Sequence, residues 1–553
     1  MRSGTEEAGR GLVRRLETSM GKRMMRGSSP GQSRDRCPPA THAPSSDVPR
    51  ALLGLISPSL SVSAARPIAR PLLKRPLATQ LRPPAAVALA PLSLELAAAA
   101  RGPEQMHIHV LGFGAIGSLV SYYLRAALDP KHAISIIHRN PSSALKASYL
   151  SRLKLEVGGV VHTQRGISHE SFDPAGDLHV REREAAWRRS LIPPREDGEQ
   201  PQEQPAQADR VQQPQAGPIE SLIVATKATD AAQGIRNLLP RLSASSTIVL
   251  LHNGMGVYEF LCDNVFRNRL SRPHFIVSSN THGAFIKQPG HVVHTGVGSI
   301  QLGIMPDGIG RDFEASVDPS LSKGEQRLAL DDITPLQGDP DATRYLSLRN
   351  TISALTSVNA LDVSWRPVFD VQLAMQRKLA TNCVINPLTA LLGCRNGDLF
   401  NHSPGKRLAE QICHEVNKVF FAQWRHEIWK LPFRKPGGRG EAPSAEEEPG
   451  EGEDASSPSP ELMLENPFPS SFSTHQLLQE CMYVAGLTRE NVSSMLVDIR
   501  LSRPTEISYL NGYILKLAKK YHVNVPATAM LIDLIHMREA IPIDKPVPAH
   551  SVL

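Results

Sequence analysis

The segment KLATNCVINP, residues 378–387, sets one amine and two amides at four-residue intervals among small and apolar neighbours. On a helix each step of four residues advances only about 40° around the axis, so Lys378, Asn382 and Asn386 share one stripe. A surface helix normally shows charges of both signs on its polar face, and this stripe carries no acid. Burying these groups unpaired is costly, so an anionic, hydrogen-bonding ligand explains them; on spacing alone, a solvated face explains them equally well. Asn386 precedes Pro387, which disfavours helical geometry at the preceding residue, so the helix is expected to kink or stop there.

A second constellation is Gly112-Phe113-Gly114-Ala115-Ile116-Gly117, a G-x-G-x-x-G pattern. It follows the apolar run HIHVL and opens a helical pattern. In that context glycines permit a tight turn and let a pyrophosphate approach the amides of a helix N-terminus. The next strand-like run ends at His138-Arg139-Asn140, about 22 residues after Gly117. An NAD-binding chain usually offers an acid there for the ribose 2′-hydroxyl. Arg139 instead suits a 2′-phosphate by charge and bidentate geometry, which argues for NADPH. Two later runs end in ATKATD and LLHNGMG. Strand C-termini face the ligand crevice of such sheets, which places Lys227 and Asn253 to touch cofactor or substrate.

These residues need elements to hold them. The runs HIHVLGFG, AISIIHR, SLIVATKA and STIVLLHNG are buried β-type segments alternating with helical stretches, which implies a parallel doubly wound sheet. From about residue 350 the patterns turn helical, over 366–393, 404–430, 474–502 and 505–521. The expected fold class is therefore α/β: a Rossmann-type doubly wound sheet followed by an all-α domain, with the active site between them. In the C-terminal helices Ser493, Ser494, Glu506 and Asn511 are polar points within apolar periodicity. Thr505 is a candidate cap for a helix that Glu506 begins, where an acid also suits the helix dipole.

The chain has 553 residues, with 61 Lys and Arg against 54 Asp and Glu. Residues 1–105 hold 16 of the basic and 7 of the acidic residues, leaving 45 and 47 for the body. The basicity thus sits in the leader, whereas a nucleic-acid reader needs it on the folded domain; no nucleic-acid partner is expected. The leader's Arg/Ser bias reads as a mitochondrial presequence, against which stand Glu6, Glu7 and Glu17. The alternative is a cytoplasmic protein with a disordered leader, or a start codon set too early, the folded part beginning at Met106. The apolar stretch 86–100 is shorter than the roughly 20 residues a membrane helix needs, so no membrane partner is expected. Residues 180–217 and 434–460 have the composition of disordered inserts, and 306–345 is a weaker candidate. The resulting domains are 106–345 for the cofactor and 346–545 for substrate and catalysis. The six cysteines include no C-x-x-C pair and match no zinc site, so they read as reduced thiols, with no metal.

The blocks VLGFGAIG, HRNP, TKA, LLHNGMG, THGA, RKLATNCVINPLTALLGCRNG and SSMLVDIRLSRPTEISYLNGYILKLAKKYHVNVP together closely resemble the ketopantoate reductase (2-dehydropantoate 2-reductase) family. They occur in family order over most of 106–540. The resemblance implies NADPH-dependent reduction of 2-dehydropantoate to (R)-pantoate, on the route to pantothenate and coenzyme A, and a 6-phosphogluconate-dehydrogenase-like helical C-terminal domain. It implies Lys378 as proton donor, with Glu506 near the nicotinamide ribose and that lysine. It implies Asn253, Asn382, Asn386, Asn396 and Ser494 as substrate-binding positions. The glycine turn from Gly112 to Gly117, with Arg139, Lys227, Asn253, Ala284 and Glu506, is implied to contact the cofactor. The partner is then a small 2-keto acid, and the assembly a monomer or homodimer. Two alternatives are a reductase of another 2-keto acid and a non-catalytic mitochondrial RNA- or translation-associated protein on the same fold. The second should have lost the lysine or the amides, and this chain keeps them.

Overall fold

A computed structural model describes residues 105–150, 152–173, 217–318, 320–322, 326–427 and 467–541. The expected leader and the inserts 180–217 and 434–460 lie outside the described residues, apart from residues 105 and 217 at their edges.

The first half runs β1 (His107–Leu111), α1 (Ala115–Ala127), β2 (Ala133–His138), α2 (Pro141–Ser148), β3 (Leu153–Val157), β4 (Val160–Gln164), β5 (Ser168–Ser171), β6 (Ser221–Val224), α3 (Ala228–Asn237), β7 (Thr247–Leu250), α4 (Val257–Asn264), β8 (His274–Asn280), β9 (Gly283–Gln288), β10 (His291–Gly296) and β11 (Ile300–Ile304). Then come α5 (Leu330–Ile333), α6 (Ala342–Thr356) and β12 (Val363–Trp365). Helices follow: α7 (Val368–Leu392), α8 (Ser403–Glu427), α9 (Thr474–Leu487), α10 (Ser494–Arg500), α11 (Asn511–Lys520) and α12 (Pro526–Ala540).

Eight strands form one sheet in the order β12-β11-β8-β7-β6-β1-β2-β5. Neighbours pair in parallel except at β11–β8, so the doubly wound sheet carries an antiparallel edge formed by β11 and β12. Its central strands are apolar on both faces because helices cover both: Leu119, Leu124 and Leu348 pack on one side, Ala231, Ile235 and Leu261 on the other. The chain steps outward from β1 to β2 and β5, then returns to β6 and steps the other way. That reversal opens a crevice beyond the C-terminal ends of β1 and β6. A second sheet, β4-β3-β10-β9, packs against α1 and was not separable from the main sheet in sequence, because β4 is almost wholly exposed. The expected change from strands to helices at 345/346 falls within α6, and β12 still belongs to the large sheet.

Three expectations are corrected. Residues 306–345 pack rather than stay disordered in their described part: Phe313 and Ile333 are buried, and Arg311 pairs with Asp339 at 2.7 Å over the Tyr345 ring. The helical pattern 474–502 is two helices, because Ser493 caps α10 by accepting from the Leu496 N–H. The pattern 505–521 is likewise interrupted: Ile507–Tyr509 is a short 3-10 turn, and α11 starts only after Leu510, whose φ and ψ are −105° and −100°. Thr505 Oγ1 does accept from the Ile507 N–H, at 3.3 Å.

The glycines of the first turn have distinct duties. Gly112 has φ +109°, and a Cβ there would lie 2.9 Å from Thr226. A Cβ on Gly117 would lie 2.0 Å from the Gly112 carbonyl oxygen, whereas one on Gly114 would meet nothing within 4 Å. Gly117→Ala is therefore expected to cost roughly 1–3 kcal/mol through overpacking. Gly114→Ala should cost less than about 1 kcal/mol, the usual range for an N-cap change. Denaturant unfolding of the two variants checks the contrast.

Candidate functional site

α7 carries the amine-and-amide stripe, and its start is fixed to the sheet. A Cβ on Gly303 in β11 would sit 3.0 Å from the Val368 backbone, and the Val368 N–H donates to Glu314 Oε1 at 2.7 Å. The helix runs unbroken to Leu392, ending on Gly393 with φ +67°. Pro387 therefore does not stop it, and Asn386 lies inside the helix rather than at its end. Proline removes the N–H that would bond the carbonyl four residues earlier, here that of Cys383. The Nδ2 of Asn511 donates to that carbonyl at 3.1 Å instead. Lys378, Asn382 and Asn386 thus lie along one line, with Asn386 buried and the other two half-buried.

Lys378 meets the sheet. Its Nζ donates to Asn253 Oδ1 at 2.9 Å and to the main-chain carbonyl of Asn280 at the end of β8. Burial lowers its pKa to about 8, and the Glu506 carboxylate opposes that shift. Asn253 lies on the loop after β7, which is seated against the helical half: the Met255 N–H donates to the Tyr509 carbonyl at 3.0 Å. Gly254, at φ +80°, allows this, since a Cβ there would come within 2.6 Å of the same oxygen.

Glu506 crosses in the opposite direction. Its Oε1 accepts at 3.0 Å from the N–H of Ala228, the first residue of α3, so the acid caps a helix of the sheet half rather than its own. Burial raises its pKa, while the Ala228 N–H, the Lys227 charge and a hydrogen bond from Asn253 oppose the rise. Asn253 thus joins Lys378 to Glu506. Asn382 and Asn386 make no side-chain hydrogen bond among the described residues and keep their donors and acceptors available.

The remaining candidates are placed as follows. Ser494 is the exposed first residue of α10, beside Ser493, whose Oγ accepts at 2.7 Å from Thr389, one turn beyond Asn386. Asn396 is not gathered with Lys378; it lies past the far end of α7, roughly 20 Å along the axis at 1.5 Å per residue. There its Nδ2 donates to Thr488 at 3.0 Å. Lys227 caps the β6 end but reaches across to the helical half, bonding Asp498 Oδ1 at 2.5 Å and the Pro504 carbonyl at 3.2 Å. Arg139 is exposed and paired with Asp230 at 2.8 Å, a solvent-screened contact that exchanges readily. Phe113 packs edge-on against His138 and His169, each 5.3 Å away between ring centroids. Ala115, Ile116 and Ala284 are half-buried on the same core as Phe113.

Sequence reasoning missed Asp498, Asp230 and the Asn280 carbonyl. The two acids stand in quoted blocks, but only the fold pairs them with bases. A main-chain acceptor has no residue signature at all. His252, whose pKa burial lowers to about 4, is a neutral neighbour of Lys378 that no spacing singled out. A cavity of about 570 Å³ lined by Phe369, Gln376, Trp424 and Tyr513 lies on the opposite face of α7 from Lys378, apart from this chemistry. No cluster among the described residues suits a metal ion, and no described helix is long and apolar enough to cross a membrane.

Residues 108–307 match the family described as "Ketopantoate reductase PanE/ApbA", and residues 370–539 match its C-terminal counterpart. The chain belongs to the ketopantoate reductase family. The 2-dehydropantoate 2-reductase of Yersinia pestis is 28% identical over 322 residues, 58% of this chain and 75% of that protein. A probable 2-dehydropantoate 2-reductase of Schizosaccharomyces pombe is 26% identical over 319 residues, 57% and 73% of the two chains. A solved PanE/ApbA family ketopantoate reductase from Ralstonia eutropha aligns with TM-score 0.48 at 16% identity, over 79% of this chain and 99% of that one.

The Lys378 ammonium should titrate near pH 8 in the folded protein, well below the usual lysine value. Removing the Glu506 charge should lower it further. Carbon-detected NMR of the lysine ε position in the wild type and in Glu506→Gln checks both; a Lys378 titration near 10.5 contradicts them.

Proposed function

We propose that this protein reduces 2-dehydropantoate to (R)-pantoate with NADPH. The observation that carries the reading is the Lys378 ammonium, held at the crevice by Asn253 and the Asn280 carbonyl, beside two amides with unspent hydrogen-bonding capacity.

The residues present fit a nicotinamide dinucleotide. Gly114 leaves open space at the N-terminus of α1, whose first amides can receive a pyrophosphate. Arg139 can exchange Asp230 for a 2′-phosphate. When bound, the cofactor supplies a hydride to the ketone carbon. The chain's own residues handle the charge and the proton. An ammonium offers three N–H groups, and two are spent on Asn253 and Asn280, so the third can meet a ketone oxygen that gains negative charge and then protonate it. Asn382, Asn386 and Ser494 are the proposed holders of the hydroxyl and carboxylate ends, which fixes the face presented to the cofactor. Asn253 and Glu506 keep Lys378 oriented and charged. The proposed setting is mitochondrial, testable by comparing a tagged full-length chain with one starting at Met106. Monomer and homodimer both remain compatible with this chemistry.

The deciding assay is NADPH oxidation with 2-dehydropantoate beside a panel of branched and unbranched 2-keto acids. Turnover of another acid in preference to 2-dehydropantoate would replace the substrate but keep the mechanism. Lys378→Ala should lower kcat by roughly 10²-fold or more while NADPH still binds. Because Lys378 must be protonated to act, kcat/KM should fall as pH rises through about 8. Arg139→Ala should weaken NADPH by roughly tenfold with little effect on NADH, read by fluorescence titration. Equal losses for both cofactors would remove the 2′-phosphate role.

A further inference from the structure

We infer that Asn511 is a positioning residue for the Lys378–Asn382–Asn386 line, acting through the carbonyl that Pro387 leaves without a helical partner; the inference rests on the reductase reading above. The gap in the α7 ladder falls at the Cys383 carbonyl, directly after Asn382, and the proline causing it directly follows Asn386. The weak turn therefore lies between the two amides. Missing ladder bonds at proline are where helices bend, and the ring crowds the freed carbonyl as well. Here the helix continues unbroken into its last turns, and the Cys383 carbonyl accepts from Asn511 Nδ2 at 3.1 Å.

A second observation points the same way. Asn511 is wholly buried, and its Oδ1 has no partner among the described residues. A residue that merely filled this place would do better as leucine, which buries no unpaired oxygen. The amide is explained by what its Nδ2 reaches. Asn511 also opens α11 directly after the turn Ile507–Tyr509, five residues from Glu506. One side chain thus ties the weak turn of the amine-bearing helix to the segment that delivers Glu506 to Asn253 and α3.

The geometry gives a specific signature. Lys378 and Asn382 lie before the weak turn and Asn386 after it, so a bend shifts Asn386 relative to the ammonium and the first amide. The glycine turn and Arg139 belong to the sheet and stay in place. Loss of the Asn511 bond should therefore act on the keto acid and spare the cofactor. Asn511→Leu in the full chain should lower kcat/KM for 2-dehydropantoate by roughly 10- to 100-fold, mainly through KM, as a displacement near 1 Å would. The NADPH dissociation constant should stay within about twofold of the wild type. Pro387→Ala restores an N–H for Cys383, so in that background Asn511→Leu should cost less than about threefold.

The same cycle is read in urea unfolding, where Pro387→Ala should also shrink the stability loss caused by Asn511→Leu. If Asn511→Leu alone does not fold, recovery of a folded Asn511→Leu/Pro387→Ala protein supports the inference, and failure of both overturns it. Equal losses in the two backgrounds, in KM or in stability, overturn it as well. A wild type that reduces no keto acid refutes the reductase reading instead, and the unfolding cycle then decides the Asn511 role by itself.

Discussion

An ammonium taken out of water must find acceptors, and at Lys378 they come from the other half of the molecule. Asn253 and the Asn280 carbonyl stand at the ends of sheet strands, while the lysine rides on α7. Unpaired, the buried charge would cost several kcal/mol or be lost to deprotonation. Burial brings its pKa down to about 8, against the pull of the Glu506 carboxylate, and there the charged and neutral forms are close in free energy. The docking of the two halves and the readiness of the amine are thus one constraint.

That docking is reciprocal. The helical half sends Glu506 to the first N–H of α3, and the sheet half sends Lys227 to Asp498. Each crossing places a charge in a partly desolvated seam with a partner of opposite or complementary character. Glycine makes the approach close enough: without Cβ atoms at 254 and 303, the loop after β7 lies against Tyr509 and β11 lies against the start of α7. A side chain at either place would push apart the surfaces that share the lysine.

What was legible in sequence was local. The glycine turn follows from a local motif, the strands from short apolar runs and the 378–386 stripe from a four-residue spacing, and each appears in the structure. What was not legible depends on distant partners. Helix periodicity ran through 488–493 and through 510, but caps and an unusual backbone at Leu510 divide those stretches. Pro387 signalled a break, yet the helix continues, and the Cys383 carbonyl that the proline frees accepts from a donor 128 positions beyond Cys383. Arg139 and Lys227 were recognisable as bases on strand ends, yet Asp230 and Asp498 had to be brought to them by the fold.

The placing of Asn253 between Lys378 and Glu506 also has a physical rationale. A direct ion pair would favour the charged amine and return its pKa toward the ordinary lysine range, while holding one of its hydrogens on a full negative charge. A neutral amide oxygen accepts the same hydrogen bond without that electrostatic anchor. Glu506 then acts at one remove, steadying the amide and opposing the desolvation of the amine without competing for its proton. The third ammonium hydrogen is left for an oxygen that becomes negative only during reaction, so the strongest pairing is reserved for the moment when charge develops.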